Sequence, residues 1–220
     1  MYILFLGLPG AGKGTHARKL SLEYDMFHLS SGTLLRKAAR RKSAGGQVIK
    51  RYISRGKLVP DEIIVKLIRK EIMKFQEKDI VFEGFPKTIN QARELEEILD
   101  EIEKEINFCI YLKVDEDRLV YRLTGRRICS NDGSIYHIKE NPPEEEGKCD
   151  ICGANLFRPA GDEEKIVKKR IKAGKKRTAE LVEYYKQRIN VETVVGTDRS
   201  PGEVHQDINE IVEKHISDEK

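Results

Sequence analysis

Tyr2-Ile3-Leu4-Phe5-Leu6-Gly7-Leu8-Pro9-Gly10-Ala11-Gly12-Lys13-Gly14-Thr15 reads as an apolar strand, a glycine-rich turn and the opening of a helix. In that order the glycines let successive backbone N–H groups converge on a phosphate, and the helix beginning near Lys13 adds the positive end of its dipole. The Lys13 ammonium can then reach the β- and γ-phosphates of a bound triphosphate. The Ser/Thr that usually follows this lysine and coordinates magnesium is Gly14, with Thr15 one position later, so magnesium must be held largely elsewhere. A glycine-rich turn that merely packs a helix on a strand is the weaker reading, because strand, loop and helix arrive in the order that phosphate binding needs.

Working outward, the apolar runs Tyr2–Leu6, Met26–Leu29, Ile80–Phe82, Asn107–Leu112 and Val191–Val195 are short and do not alternate, as expected of strands buried on both faces. Between them lie helical stripes, one of Ile63, Ile64, Leu67, Ile68, Ile72 and Phe75 after Pro60, another of Leu95, Ile98, Leu99 and Ile102. A last helix is signalled by Ser200 as cap, Pro201 in the first turn and Glu203 completing a capping box ahead of Val204, Ile208, Ile211, Val212 and Ile216. The βα alternation predicts an α/β fold: a parallel five-stranded sheet flanked by helices, with right-handed crossovers and ligands at the carboxyl ends of the strands. Two stretches interrupt it. Residues 30–59 are helical but rich in Gly, Arg and Lys, and residues 126–158 carry Gly, Pro, Asn and paired cysteines with little helical periodicity. Both read as lobes inserted into a single core of 1–29, 60–125 and 159–220.

The 220 residues, 39% apolar, suit one domain with insertions better than two independent ones. Charge is abundant but nearly balanced, with 41 basic against 37 acidic side chains and a formal net of +4, which does not mark a nucleic-acid binder. The basic residues are unevenly placed, with Arg36, Arg40, Arg41 and Lys42 early, Arg122, Arg126 and Arg127 in the middle, and a run from Lys165 to Arg177 late. An anionic ligand approached from several sides needs that distribution, although solvated helix faces explain most of the lysines. No run approaches the ~20 apolar residues of a membrane span, and the chain enters a strand without a leader, so a cytoplasmic protein free of membrane contact is expected.

In such a compartment the four cysteines are metal ligands or core residues rather than disulfides. Cys129-x-x-Asp132 and Cys149-x-x-Cys152 are two knuckles about sixteen residues apart, the spacing at which paired turns converge on one tetrahedral zinc. Three thiolates and a carboxylate make a closed, structural site, and a lobe with so little core gains on the order of 10 kcal/mol of folding free energy from such an ion. His137 competes with Asp132 for the fourth ligand position, and a metal-free lobe held by hydrogen bonds is the other reading. Cys109, inside the strand Phe108-Cys109-Ile110-Tyr111, is a small buried hydrophobe.

At this point the residues resemble the adenylate kinases, specifically the long form with a knuckle-bearing lid, over nearly the whole chain. The resemblance rests on Gly7-x-Pro9-Gly10-x-Gly12-Lys13-Gly14-Thr15, Ser30-Ser31-Gly32 with Arg36, and Gly56-Lys57-Leu58-Val59-x-Asp61-Glu62. It continues through Gly84-Phe85-Pro86-x-Thr88 with Gln91, Gly125-Arg126-Arg127, Tyr136-His137 with Asn141-Pro142-Pro143, and Arg158 followed by Arg170. It implies magnesium-assisted transfer of the ATP γ-phosphoryl group to AMP, giving two ADP, by a monomer whose two lobes close over the core. By the family's pattern the reacting centre comprises Lys13, Arg126, Arg158, Arg170 and Glu83. ATP would meet Gly10, Ala11, Gly12, Lys13, Gly14, Thr15, Arg122, Arg126, Ile135, Tyr136, Thr197 and Asp198. AMP would meet Ser31, Arg36, Lys57, Leu58, Val59, Gly84, Phe85, Pro86, Lys87, Gln91, Arg158 and Arg170. Mg2+ with ATP and a structural Zn2+ on Cys129, Asp132, Cys149 and Cys152 are the implied cofactors. Phosphoryl transfer needs positioning and charge neutralisation more than a covalent catalyst, which suits a cage of Lys13, Arg36, Arg122, Arg126, Arg158 and Arg170.

Four places depart from the pattern. The aspartate expected as the fourth residue of the run from Ser30 is Thr33, and Asp-Gly-Phe-Pro-Arg reads Glu83-Gly84-Phe85-Pro86-Lys87. Glu83 keeps the charge that organises a magnesium water shell but displaces it by about 1.5 Å. Lys87 keeps positive charge and loses the planar fork that grips phosphate bidentately. After Arg158, two aspartates become Pro159-Ala160-Gly161-Asp162, one acid with an extra residue. These departures keep open GMP, CMP or UMP as acceptor, and a silent ATP-driven switch as an alternative to turnover. Nucleic-acid binding by the knuckle is disfavoured by Glu144, Glu145, Glu146 and Asp150. His16 and His28 flank the loop, but transfer to a phosphate needs no side-chain base, so they read as ordinary helix-surface and strand-end residues. Tyr184 and Tyr185 read as packing residues.

Overall fold

The structure is a computed structural model that describes residues 1–41 and 43–218; Lys42, counted above in the early basic cluster, lies outside the described residues. Five parallel strands form the central sheet: β1 (Tyr2–Gly7), β2 (Phe27–Ser30), β3 (Ile80–Glu83), β4 (Phe108–Lys113) and β8 (Asn190–Val195), in the order β2-β3-β1-β4-β8. Alternation along β1 sends Tyr2, Leu4 and Leu6 to one face and Ile3 and Phe5 to the other. The first face packs on α4 (Asp61–Lys74) and α5 (Ile89–Asp100), through Ile64, Ile68, Leu95 and Leu99. The second packs on α1 (Lys13–Glu23), α6 (Glu116–Thr124) and α8 (Pro201–Asp218), through Leu20, Leu119 and Ile208. Helix α7 (Glu164–Lys186), about 34 Å long at the helical rise, joins both layers, with Val167 and Ile171 in the second cluster and Leu181 and Tyr185 in the first.

The expected strands are all present, each with a boundary shifted by a residue or so, and the two helical stripes end in Phe75 and Ile102 just beyond α4 and α5. β8 departs from the two-face burial expected of it: only Val194 is buried, because β8 is an edge strand. Ser200 and Glu203 form the anticipated capping box, the Glu203 amide donating to Ser200 Oγ (3.3 Å) and the Ser200 amide to Glu203 Oε2 (2.8 Å). Residues 30–59 hold α2 (Ser31–Ala39) and α3 (Ala44–Ser54). Residues 126–158 hold a small antiparallel sheet of β5 (Arg126–Cys129), β6 (Ile135–His137) and β7 (Leu156–Phe157).

One histidine is misplaced by the sequence reading. His16 is buried, because α1 presses it against α8, where its ring stacks on His205 at 5.6 Å and His205 bonds Glu23 (2.8 Å). Burial first, then His205, Lys19 and Arg122, pull its imidazole from about 6.5 down to about 4. Between those values the unfolded chain carries a proton that the folded chain refuses, so stability falls as pH drops through that window. Full loss amounts to about 3 kcal/mol. Urea midpoints measured from pH 7 to 4.5 should therefore fall more gently in His16→Gln than in the parent.

Candidate active site

Pairing register brings the chemistry to the carboxyl edge of the sheet. Ser30 pairs with Glu83 across β2 and β3, and Phe5, two residues before the glycine-rich loop, pairs with Glu83 from β1. The loop turns through Gly12, whose φ of 98° is left-handed and caps α1, a backbone state that a side chain would strain. Lys13 Nζ lies over the loop and donates to the carbonyls of Gly7 (2.7 Å) and Leu8 (2.8 Å). Ala11 is buried and Thr15 is exposed.

Glu83 accepts a hydrogen bond from Ser30 Oγ at 2.6 Å. Burial alone would raise its carboxyl, but Lys13, the Ser30 hydroxyl, His28 and Lys87 together hold it below the ordinary range, so it is an anion facing cations. Burial pulls the Lys13 ammonium down to about 8; Glu83 opposes this, while Lys87, Arg170 and Arg126 add to it. Burial likewise lowers Lys87, Arg36 and Arg170. Thr33 has taken a definite job: its hydroxyl accepts from Arg36 Nη2 at 3.0 Å.

The residue that sequence reasoning undervalued is Asp162. It ends a short 3-10 turn, Ala160–Asp162, and is fully buried. Arg126 grips it with Nε to Oδ2 (2.8 Å) and Nη2 to Oδ1 (2.9 Å), and Arg170 Nη1 reaches Oδ1 (3.2 Å) and the Gly161 carbonyl (2.7 Å). Arg158 Nη2 donates to the Asp162 carbonyl at 2.7 Å. One carboxylate and two adjacent carbonyls thus converge three arginines that are far apart in sequence. The signal was present as the lone acid after Arg158, but a one-residue insertion hid its register.

A cleft beside Glu83 is lined by Ser31, Leu58, Val59, Gly84, Lys87 and Gln91, with Leu35 and Ile64. Gly84 has a φ of 73°, and a Cβ there would sit 2.7 Å from Ser31 Oγ. Phe85 instead belongs to the core, where it is buried, and Lys57 is exposed. The Phe85-Pro86 peptide is cis. Residues 30–59 reach α7: a Cβ on Gly56 would lie 3.1 Å from Ile166 Cγ2 and 3.3 Å from Arg170 Cγ.

At the other end, Arg122 Nη2 donates to the Gly196 carbonyl (2.9 Å), next to Thr197, whose hydroxyl accepts from the Asp115 amide (2.9 Å). Asp198 is close enough to act on the Arg122 charge. Ile135 is exposed, whereas the Tyr136 side chain is used within the knuckle, its hydroxyl accepting from the Asp150 amide (2.9 Å) beside Cys149 Sγ (3.4 Å). Any part it plays toward ATP is thereby restricted to its backbone.

The knuckle ligands converge. One ligand atom each from Cys129, Asp132, Cys149 and Cys152 lies within 4.8 Å of every other, with Cys129 and Cys152 sulfurs 3.5 Å apart and Cys149 Sγ 3.6 Å from Asp132 Oδ2. Tetrahedral zinc with sulfur ligands at about 2.3 Å sets edges of about 3.8 Å, so the cluster is compatible with a structural zinc. The Ser134 amide, donating at 2.8 Å, and Cys129 hold the Asp132 carboxyl down to about 2. His137 is occupied elsewhere: its Nδ1 accepts from the Glu140 amide (3.1 Å) and its Nε2 faces the Tyr121 carbonyl (3.3 Å).

Comparison with known proteins agrees with this geometry. The adenylate kinase family profile matches residues 5–190. The chain is 42% identical to an adenylate kinase of Geobacillus sp. over 189 residues, covering 86% of this chain and 88% of that one. It is 40% identical to an adenylate kinase of Clostridium botulinum over 213 residues, 96% and 98% of the two chains. With an adenylate kinase of Archaeoglobus fulgidus the identity is 38% over 215 residues, 97% and 99% of the two chains. A glycine-rich loop near a converged arginine cluster, matched over most of the chain by such relatives, places the chain in the adenylate kinase family, as an enzyme that transfers a phosphoryl group between ATP and AMP.

Proposed function

We propose that the reaction takes place between the loop at Gly10–Thr15 and the cleft at Ser31, Val59, Gly84 and Gln91, with the Asp162-bound arginines between them. The observation that carries this reading is the grip of Asp162 on Arg126 and Arg170. In it, Lys13 and the loop amides hold the ATP phosphates, and Arg122 with Thr197 and Asp198 borders its base. Arg36 and Lys87 hold the acceptor phosphate, and Arg126, Arg158 and Arg170 surround the group in flight. Magnesium, which adenylate kinases use with ATP, supplies further charge neutralisation; Glu83, anionic and fixed by Ser30, suits its water shell. No nucleophilic side chain is needed, because the acceptor phosphate is itself the nucleophile.

Residues 30–59 and 126–158 serve in this reading as lobes that close over the two nucleotides and exclude water, which otherwise competes as acceptor. The knuckle holds a structural zinc that fixes the second lobe. The protein works as a single chain in the cytoplasm on small-molecule substrates, and the acidic run Glu144–Glu146 argues against a nucleic-acid partner.

The deciding experiment is ADP formation from MgATP with AMP, GMP, CMP or UMP offered separately; turnover with AMP is expected, and intact ATP binding without turnover on any acceptor would promote the silent-switch alternative. In the same assay kcat/KM for MgATP should decline as pH rises through about 8, where Lys13 loses its proton. Asp162→Asn should lower kcat about 100-fold by releasing the arginines from register. Its stability cost stays below the ~3–5 kcal/mol of a fully buried pair, because the guanidiniums are partly solvated. Elemental analysis should find one zinc per chain, and its removal or Cys149→Ser should lower Tm by roughly 5 °C or more.

A further inference from the structure

Gln91 sits at the third position of α5, where Thr88 caps the helix by accepting from the Gln91 amide (3.2 Å). In an ordinary capping box its side chain would return to the cap residue. Here it does something else. Gln91 Oε1 accepts from the Lys87 amide (2.7 Å), and Gln91 Nε2 donates to Asp61 Oδ1 (2.6 Å). The side chain is buried and lines the cleft.

These two partners leave no freedom in the orientation of the amide. A backbone N–H only donates, so it demands the oxygen; a carboxylate only accepts, so it demands the nitrogen. Asp61, in the first turn of α4, is steadied in turn by Thr88 Oγ1 (3.4 Å) and Asn90 Nδ2 (3.3 Å). What remains of the Gln91 amide is one hydrogen and one lone pair in a fixed order. That order complements a base edge carrying a ring-nitrogen acceptor beside an exocyclic amine, as adenine and cytosine do. Guanine and uracil present the reverse, a ring N–H beside a carbonyl, and would be met only if the amide flipped.

We propose that Asp61 is a specificity-determining positioning residue, which excludes guanine and uracil acceptors by forbidding that flip. This rests on the assignment of the cleft to the acceptor nucleotide. It is discrimination against a competitor by an unpaired polar contact rather than by added affinity for the preferred base.

The test is the ratio of kcat/KM values for AMP, GMP, CMP and UMP with saturating MgATP, measured on the zinc-replete full chain. A ratio taken on one preparation does not depend on the fraction folded. In Asp61→Asn and Asp61→Ser the preference for AMP over GMP and over UMP should fall about tenfold, the value of one charge-assisted hydrogen bond. The AMP-to-CMP ratio should not move, KM for MgATP should stay as in the parent, and Asp61→Glu should restore part of the discrimination. Equal losses on all four acceptors would overturn the proposal and leave Asp61 as a tether between α4 and α5. Gln91→Ala separates the two levels: if it leaves every acceptor ratio unchanged, the base-site assignment fails and the proposal with it. If it changes them while both Asp61 variants do not, the proposal alone is overturned.

Discussion

A carboxylate with no solvent exposure, Asp162, is the point on which the rest of the site depends. Arg126 reaches it from the start of the small antiparallel sheet and Arg170 from the first half of α7, and Arg158 joins through the adjacent carbonyl. Like charges so close would otherwise drive their elements apart. One well-placed anion and two carbonyls hold them, because guanidinium forks accept planar, bidentate partners at little further entropy cost. Positive charge nonetheless stays in excess, since Lys13, Lys87 and Arg36 face the same region, where Glu83 and Asp162 are the carboxylates that act on them most among the described residues.

The core was legible because its signals are redundant. Buried parallel strands and helical stripes repeat the same instruction five times, and an error of a residue at Asn107 or Phe75 leaves the topology untouched. The loop was legible because Gly12 and Lys13 act through backbone geometry and a single charge. His16 was misread because a histidine at a helix position carries no mark of what packs on it; α8 and His205 decide its burial from almost two hundred residues away. Asp162 was undervalued for the same reason. Its importance comes from three arginines that meet only in three dimensions, and the extra residue after Arg158 shifted it out of the expected register.

The departures from the family pattern have separate structural consequences. Thr33 in place of an acid still serves as a partner for Arg36, so the cation is held without being neutralised. Glu83 spends part of its longer reach on Ser30. Lys87 contributes its backbone amide to Gln91 whatever its side chain does, so the orientation of the Gln91 amide does not require arginine at that position.

The excess of positive charge links binding to shape. A folded chain that gathers Lys13, Lys87 and several arginines around two carboxylates carries repulsion that a polyphosphate relieves, and a ligand bound only by the folded form stabilises it in proportion to the logarithm of its concentration over Kd. The ammonium of Lys13, lowered to about 8 by burial first and then further by Lys87, Arg170 and Arg126, carries part of that tension. A phosphate beside it opposes that depression and helps the ammonium keep its proton. Asp162 and its neighbouring carbonyls answer Arg126, Arg158 and Arg170 within the fold, so the charge left for a polyphosphate to answer is chiefly that of Lys13, Lys87 and Arg36, and its neutralisation stabilises the folded chain.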